Sequence, residues 1–329
     1  MDIVALTRQL VDVESTTGSE GLVGEFLLQE LGKLQYTVKK MPVEPERFNV
    51  FATVPGKSRP DIVFSTHMDT VPPYFPSRED KDRIYGRGAC DAKGIMAAQI
   101  AAAERLRAEG IAVGLLFLVG EERDSLGAAV ANRRAPGSRF LINGEPTENK
   151  LAVASKGALR VLLTARGKAA HSAYPELGDS AIDKLLEALA RLRALPLPND
   201  PAIGPCTLNI GVIEGGQAPN VVADHAQAHL LYRLVGPSTP LRWEIEATVK
   251  GLATAQFTLE IPFVRLRTLE GLPTMVAAFT SDVPSLDQWG EPLMLGPGSI
   301  HVAHTDDEFV DKKQLHEAVD CTARWPEGS

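Results

Sequence analysis

Residues 114 to 122 read Gly-Leu-Leu-Phe-Leu-Val-Gly-Glu-Glu. The first six residues are apolar on both faces of an extended chain, which is typical of a strand buried between two layers of helices. Helical and strand-like patterns alternate around this segment up to about residue 154, and such alternation indicates a helix-covered α/β sheet. We therefore predict that residues 114–119 form a strand near the centre of that sheet.

The remaining elements of this part are predicted from the same patterns. We expect helices near 2–12, 20–35 and 94–109, and strands near 49–54, 61–66 and 139–142. After Ser155 the order becomes strand, helix, strand, strand, helix, strand, near 158–167, 179–194, 206–213, 224–235, 239–252 and 256–264. That order is a split βαβ unit of ferredoxin-like type. The prediction is an α/β first domain, residues 1–155 and 265–329, with an inserted α+β domain, residues 156–264.

The composition argues against several classes of protein. The 329 residues are 44% hydrophobic, as in an ordinary globular chain. Lys and Arg number 34 against 42 Asp and Glu, a net charge of -8, and no basic cluster is dense enough to follow a phosphate backbone. There is no signal-peptide core and no apolar run of the ~20 residues that a membrane span needs. Three widely spaced cysteines make a disulfide framework improbable and fit a reducing compartment. We therefore expect a cytoplasmic protein, and the charge and hydropathy patterns predict that it binds neither nucleic acid nor membrane.

A candidate metal site begins in residues 61 to 72, Asp-Ile-Val-Phe-Ser-Thr-His-Met-Asp-Thr-Val-Pro. Side chains alternate along an extended chain, so His67 and Asp69 share one face. The carboxylate can hold the imidazole in one tautomer while the other ring nitrogen binds a metal. Taken alone, this segment favours a structural histidine. The metal interpretation depends on the rest of the chain.

Further segments place potential ligands beside strand ends or turns. They contain Asp91, Glu121, Glu122, Glu145 and His304. Open α/β sheets bind ligands at the carboxyl ends of their strands. Two imidazoles with three carboxylates suit zinc or a similar divalent ion better than calcium or a thiolate-bound metal.

The number of ligands predicts two metal ions. If Asp91 bridges, one ion takes His67, Asp91 and Glu145. The other takes Asp91, Glu122 and His304, and a shared water completes both. Two dications carry four positive charges, which three carboxylates and one bridging hydroxide neutralise in a buried site.

Glu121 is then left over as a candidate catalytic residue. Neighbours in an extended segment point in different directions, so Glu122 can ligate while Glu121 faces the water. We predict that Glu121 is the general base, which takes a proton from this water and delivers it to the departing amine. The alternative is a solvated surface pair that opens a helix, but the apolar strand before it weighs against this.

Five motifs in this order resemble those of a known family. They are His67-x-Asp-x-Val-Pro, Gly86-Arg-Gly-x-x-Asp-x-Lys-Gly, Gly120-Glu-Glu, Gly144-Glu-Pro and Ala303-His. The family is that of the zinc amidohydrolases and peptidases, which includes acetylornithine deacetylase, succinyl-diaminopimelate desuccinylase, aminoacylase and carboxypeptidase G. The resemblance spans nearly the whole chain.

The resemblance implies a di-zinc catalytic domain and an inserted lid domain that commonly mediates dimerisation. It also implies that His171 stabilises the tetrahedral oxyanion, often in the partner subunit's active site. Asn220 and Arg233 resemble lid residues that hold the substrate's carboxylate, and Gly298 lies in a turn expected to face the substrate. Without the resemblance, His171 is a loop histidine, Asn220 a turn former and Arg233 a strand-edge charge.

Two further residues could compete for the metal. Cys90 lies beside Asp91, but five ligands are available without it, so we predict a reduced, partly buried thiol. His301 precedes His304 by three residues, and the Ala-His-Thr context favours His304.

The predicted function is hydrolysis of the amide bond of an N-acylated amino acid by a homodimer with two zinc ions, for which cobalt could substitute. Family members that act as dipeptidases tend to have aspartate where this chain has Glu145, whereas deacylases and carboxypeptidase-like members tend to have glutamate, which argues against a dipeptidase. A dipeptidase or carboxypeptidase is the alternative enzyme. A non-catalytic amino-acid-binding relative is the alternative of another class, and Glu121 argues against it because a binding protein needs no base.

Overall fold

The computed structural model describes residues 1–324. Its helices are α1 (Ile3–Val11), α2 (Gly21–Lys33), α3 (Lys93–Ala108), α4 (Leu126–Asn132), α5 (Ala181–Ala194), α6 (Thr239–Val249) and α7 (Lys312–Thr322). Its strands are β1 (Thr37–Glu44), β2 (Arg47–Thr53), β3 (Ile62–His67), β4 (Arg78–Glu79), β5 (Arg83–Tyr85), β6 (Val113–Leu118), β7 (Phe140–Asn143), β8 (Leu151–Ser155), β9 (Gly157–Arg166), β10 (Asn199–Asp200), β11 (Gly204–Pro205), β12 (Thr207–Gly215), β13 (His225–Leu234), β14 (Thr254–Ile261), β15 (Val264–Arg265), β16 (Thr274–Ala277), β17 (Glu291–Met294) and β18 (Phe309–Asp311). None of these helices is both long and apolar enough to cross a membrane.

The chain divides into two compact units. The first contains Met1–Val153, Leu266–Met275 and the described chain from Ser281 onward, and the second contains Ala154–Arg265 and Val276–Thr280. The predicted boundaries had placed Val276–Thr280 in the first domain. Hydrogen bonds explain the difference, because the backbone N–H of Lys156 donates to Ala277 and the hydroxyl of Ser155 donates to the Phe279 carbonyl at 2.7 Å.

A six-stranded mixed sheet forms the middle of the first unit, in the order β1-β2-β6-β3-β7-β17. The strands β6, β3, β7 and β17 run parallel, whereas β1 and β2 pair antiparallel. Every residue of β6 is buried, and the strand has a neighbour on each side. The prediction of a buried strand within a helix-covered mixed sheet is therefore confirmed.

Alternate residues of β6 pack into two different apolar clusters. Leu115 and Phe117 belong to the larger cluster, together with apolar residues of α1, α2, α3 and α7. Leu116 and Leu118 belong to a smaller cluster, which includes residues of α4 and the fully buried Trp289. The alternation along the strand thus places one helix layer on each face of the sheet.

The second unit is a four-stranded antiparallel sheet in the order β12-β13-β9-β14, with α5 and α6. Alternate residues of β9 and β13 are buried, and buried leucines of α5, Leu185, Leu189 and Leu192, supply the helix side of the core. The chain order β9-α5-β12-β13-α6-β14 is the predicted split βαβ arrangement of ferredoxin-like type.

Candidate metal centre

Three of the predicted ligands follow the ends of neighbouring parallel strands. His67 is the last residue of β3, Glu122 follows β6, and Glu145 follows β7. Because β3 pairs in parallel with both β6 and β7, these ends lie at one edge of the sheet. Asp91 precedes α3 and His304 precedes β18, in loops of the same unit.

The imidazole of His67 is buried and has a different partner on each ring nitrogen. Nδ1 lies 2.9 Å from the backbone oxygen of Asp69 and 3.5 Å from Asp69 Oδ1. Nδ1 therefore carries the proton and donates it to the carbonyl. Orientation of the ring by the Asp69 carboxylate was predicted, but the carbonyl is the closer partner. Nε2 lies 2.9 Å from Asp91 Oδ1 and faces the other predicted ligands.

The carboxylate of Asp69 fixes the backbone that follows β6. Its Oδ1 accepts the N–H of Glu121 at 3.1 Å, and its Oδ2 accepts the N–H of Glu122 at 3.2 Å and the hydroxyl of Thr17 at 2.8 Å. The two glutamates lie in a turn, so the prediction of an extended segment here was wrong. Gly120 opens this turn with a φ of 80°, a conformation that favours glycine.

Asp91, Glu122 and His304 extend the cluster from His67. Nε2 of His304 lies 2.8 Å from Glu122 Oε1 and 3.5 Å from Asp91 Oδ2. Since Asp91 Oδ1 contacts His67, the Asp91 carboxylate lies between the two imidazoles. His67, Asp91 and Glu122 each offer one ligand atom within 4.8 Å of the others. The backbone of His304 is left-handed, with φ 63°, which is uncommon outside glycine.

Glu121 and Glu145 bring two more carboxyl groups to this region. Glu145 is 3% exposed, and its Oε1 has no hydrogen-bond partner within residues 1–324. Burial, followed by the charge of Asp91, raises the pKa of Glu145 well above its usual range. Burial, followed by the charge of Glu145, does the same to the pKa of Glu121. These carboxyl groups repel one another in the absence of a cation.

The two imidazoles supply positive charge when no metal is present. Contacts with Asp91 and Glu122 raise the pKa of His304 to about 10. Burial lowers the pKa of His67, but the contacts with Asp69 and Asp91 outweigh it and leave this pKa well above its usual value. Two imidazoles and three carboxylates, one of which has an unpartnered buried oxygen, form a donor set that fits divalent metal ions. Each ion would replace the proton on the imidazole nitrogen that it binds, which is Nε2 in both His67 and His304.

Three residues of the first unit adjoin this cluster without having been predicted. Thr17 donates to Asp69, and Glu308 accepts the N–H of Asp91 at 3.1 Å. Asp282 is buried, and neither of its carboxylate oxygens has a hydrogen-bond partner within residues 1–324. Ser125 is near enough to lower the pKa of Asp282, but the two side chains form no hydrogen bond within 3.5 Å. Only the acidic run at 306–308 after His304 could have drawn attention to one of them.

The predicted oxyanion and carboxylate-binding residues belong to the second unit. His171 is exposed, and its Nδ1 accepts the N–H of Ala173 at 3.1 Å. Asn220 is exposed, and its backbone oxygen accepts the N–H of Ser172 at 3.0 Å. Arg233 lies half-buried on β13. The structure of the second unit alone therefore places these three residues on its surface.

Gly298 and the two competing residues lie in the first unit. Gly298 has a φ of 85°, and a Cβ there would lie 2.5 Å from Cys90 Sγ, so a side chain would collide with the thiol. Cys90 is buried and donates to the Ser299 carbonyl at 3.4 Å, and burial raises its pKa well above the usual range, which keeps the thiol protonated. The His301 ring makes no hydrogen bond or ion pair with the described residues, whereas His304 contacts two predicted ligands.

Comparison with protein families and curated proteins gives consistent matches. The peptidase dimerisation domain, M20_dimer, matches residues 153–258. A peptidase M20 domain-containing protein of Schizosaccharomyces pombe is 37% identical over 97% of this chain and 82% of its own length. A probable carboxypeptidase of Neosartorya fischeri is 38% identical over 96% of this chain and 84% of its own length.

Solved structures share the fold over nearly the whole chain. A tripeptidase from Staphylococcus aureus has a TM-score of 0.83 at 22% identity, covering 98% of this chain and 96% of that one. A dinuclear metal binding peptidase of Bacillus subtilis has a TM-score of 0.69 at 16% identity, covering 98% and 95%. At these identities the structural likeness establishes the fold.

Proposed function

The chain belongs to the M20 peptidase family, and we propose that it is a metal-dependent hydrolase that cleaves the amide bond of an N-acylated amino acid. The observation that carries this proposal is the convergence of His67, Asp91, Glu122 and His304 at the carboxyl edge of the sheet, with Glu121 beside them but not paired to an imidazole. The first unit is then the catalytic domain and the second unit the lid.

Two divalent metal ions are proposed for this cluster, zinc first and cobalt as a substitute. His67, Asp91 and Glu145 would hold one ion, and Asp91, Glu122 and His304 the other. When bound, such ions polarise a substrate carbonyl and make an attacking water more acidic. The name of the Bacillus subtilis neighbour as a dinuclear metal binding peptidase supports this number of ions.

Glu121 is proposed as the group that moves the proton. Its carboxylate takes a proton from the attacking water, holds it, and gives it to the nitrogen of the departing amine. In the metal-free protein, burial and the charge of Glu145 raise the pKa of Glu121, and bound cations would oppose this shift and leave a carboxylate able to accept the proton. The hydrogen bonds from the Glu121 and Glu122 N–H groups to Asp69 keep the turn in place.

Arg233 and Asn220 are both proposed to bind the carboxylate of the substrate. Arg233 forms no ion pair within residues 1–324, and its burial, followed by the charge of neighbouring Arg160, lowers its pKa. The Arg233 guanidinium thus lies near a second positive charge and has no carboxylate partner among the described residues. A substrate carboxylate would provide that partner and bind in a bidentate geometry.

His171 is proposed to stabilise the developing oxyanion. Because its Nδ1 accepts the N–H of Ala173, the proton of the neutral ring is on Nε2. The exposed Nε2–H is then a donor for the oxygen that becomes negative in the transition state. In the family that the motifs resemble, this histidine often acts in the partner subunit's active site. We therefore propose that His171 makes this contact between protomers.

The second unit is proposed to form a homodimer. Its β12 is an edge strand, and Val212 and Ile213 on it are 43% and 54% exposed. Ile182 and Leu186 of the adjacent α5 are 37% and 52% exposed. Exposed apolar residues beside an unpaired strand edge favour association with a second copy, and the match to a dimerisation domain supports this partner. A cytoplasmic location stays a prediction from the sequence.

A carboxypeptidase acting on short peptides is the second candidate function, because fungal relatives carry the name probable carboxypeptidase. Both candidates break the same kind of bond, an amide whose nitrogen belongs to an amino acid with a free carboxylate. They differ in what lies on the carbonyl side, which is a simple acyl group in one case and a peptide in the other.

The test is the release of primary amine from N-acetyl, N-succinyl and N-formyl amino acids and from di- and tripeptides, each also supplied as its C-terminal amide. Turnover of one acyl class with a free carboxylate, and loss of turnover in the amide, is the expected result. Turnover of peptides alone, with loss of turnover in their C-terminal amides, identifies the carboxypeptidase. Metal binding with no turnover of any substrate points to a binding protein and contradicts the proposal.

A further inference from the structure

Glu308 is buried against the loop that carries Asp91, with no measurable exposure of its side chain. Its Oε1 accepts three backbone N–H groups, from Gly88 at 3.0 Å and from Cys90 and Asp91 at 3.1 Å each. One oxygen atom thus accepts three N–H groups of the loop between β5 and α3. Such a loop has little freedom to turn the Asp91 side chain in another direction.

The other oxygen of Glu308 is held equally firmly. Oε2 accepts a hydrogen bond from Nη1 of Arg87 at 2.7 Å, and Nε of Arg87 donates to the Pro73 carbonyl at 3.2 Å. The Arg87 side chain is 1% exposed, and its guanidinium lies 5.0 Å from the centroid of the Phe75 ring. The Glu308 carboxylate therefore has a fixed position as well as fixed partners.

Glu308 also joins two loops that bear predicted ligands. It lies four residues after His304, and its backbone oxygen accepts the N–H of Gly86 at 3.1 Å. The next residues form β18, which pairs antiparallel with β5 in the register Phe309↔Tyr85. The separation of Asp91 from His304, 3.5 Å between Oδ2 and Nε2, depends on both loops.

We propose that Glu308 is a positioning residue for the metal centre, which presets Asp91 between His67 and His304 before any metal binds. The inference rests on the proposed function, because it requires that Asp91 is a metal ligand. A carboxylate needed only to neutralise Arg87 would require one ion pair. The three N–H groups on Oε1 instead direct the residue toward the ligand-bearing loop. Residues that orient ligands in this way commonly contribute about 10- to 100-fold to metal affinity.

The experiment is a titration of metal-stripped protein with Co²⁺, followed by the visible absorption of the bound ion. Four proteins are compared: wild type, Glu308→Ala, Glu308→Gln and Leu31→Ala. Leu31 is buried in α2 of the same unit with no measurable exposure, so its truncation lowers stability without touching either loop. Thermal unfolding without metal reports the stability of each variant.

We expect Glu308→Ala to weaken Co²⁺ binding by about 10- to 100-fold and to change the absorption spectrum of the bound ion. Glu308→Gln keeps an oxygen acceptor for the three N–H groups, so its loss of affinity is expected to be smaller, by less than about tenfold. Leu31→Ala should bind Co²⁺ like wild type. If Glu308→Ala does not fold, a Glu308→Gln variant with weakened binding still supports the proposal.

Unchanged Co²⁺ affinity and spectrum in folded Glu308→Ala, or in Glu308→Gln when the alanine variant does not fold, would overturn the positioning role. An equal loss in Leu31→Ala would overturn it too, since general destabilisation would then explain the effect. Wild-type protein that binds no Co²⁺ would instead refute the proposed metal centre. The two failures are therefore distinguishable.

Discussion

Asp69 Oδ1 accepts the backbone N–H of Glu121 at 3.1 Å. This hydrogen bond joins Asp69, which lies beside the His67 ring, to Glu121, the proposed general base. Because Asp69 also accepts the N–H of Glu122 and the hydroxyl of Thr17, one carboxylate controls the turn that carries both a proposed ligand and the proposed base.

Replacement of Asp69 by asparagine should lower turnover by about 10- to 100-fold with both metals retained. The amide has one acceptor oxygen in place of two, so at least one of the N–H groups of Glu121 and Glu122 loses its partner. Thr17→Val removes a single hydroxyl and should cost less. Steady-state kinetics with metal analysis measures both effects. Full activity in Asp69→Asn would show that the turn does not depend on the carboxylate.

Glu121→Gln should reduce kcat by about 10²- to 10⁴-fold while the number of bound metal ions stays the same. Glutamine is nearly isosteric with glutamate but cannot take up a proton. Glu122→Gln is the matched control. The Glu122 carboxylate contacts His304, so loss of this carboxylate should lower metal affinity. Metal analysis of the purified variants separates the two roles. A Glu121→Gln variant that loses metal would make Glu121 a ligand.

The metal-free protein should lose stability as the pH rises from about 4 to 7. Burial raises the pKa of Asp282 from 3.8 to about 7, so the folded state binds this proton more tightly than the unfolded state does. The stability that the proton provides is complete below pH 3.8 and is lost as the pH passes about 7, a change of about 4 kcal/mol. Urea unfolding across this range measures it. Asp282→Asn should make the slope smaller, while the raised pKa values of Glu121 and Glu145 still contribute to it, and an unchanged slope would contradict the assignment.

Ile213→Lys should convert the proposed homodimer into monomers. A lysine on the exposed β12 edge places a charge where a second copy would pair. Trp243→Lys is the matched control, because Trp243 is a 68% exposed aromatic residue of the same unit on α6. Light scattering gives the mass of each protein. A wild-type monomer, or dissociation by both variants, would remove β12 as the interface.

A mixture of Glu121→Gln and His171→Ala proteins tests whether His171 acts between protomers. Neither variant should be active alone. If the partner subunit's histidine completes each site, a mixed dimer has one intact site, and exchange of subunits should restore about a quarter of wild-type activity. No recovery after exchange would mean that His171 acts within its own chain or has no catalytic role.

The sequence predicted those parts of the structure that leave a periodic or compositional signal. The β6 strand was recognisable because both of its faces are apolar, and His67, Glu122 and Glu145 were predicted as ligands because they lie at or after the ends of buried strands. The β1 strand was missed: its sequence contains two lysines and a proline, and most of its residues are exposed, so it has no buried face to reveal it.

The residues that support the centre could not be predicted for a different reason. Thr17 and Glu308 form hydrogen bonds with residues far away in sequence, as the separation of 217 positions from Asp91 to Glu308 illustrates, and Asp282 is distinguished only by its burial. A single carboxylate in an acidic run looks like a solvated charge until the fold buries it. The turn at Glu121 likewise depends on hydrogen bonds to Asp69, which is distant in sequence, as well as on the adjacent Gly120.

The most direct test of the central claim is a titration of metal-stripped protein with Zn²⁺ in which bound metal and amide hydrolysis are measured in the same samples. We predict that stripped protein is inactive, that two ions bind per chain, and that hydrolysis of an N-acylated amino acid or short peptide appears as they bind. Full hydrolysis by stripped protein, or a chain that binds no divalent ion at the His67–Asp91–His304 cluster, would contradict the assignment of a metal-dependent hydrolase.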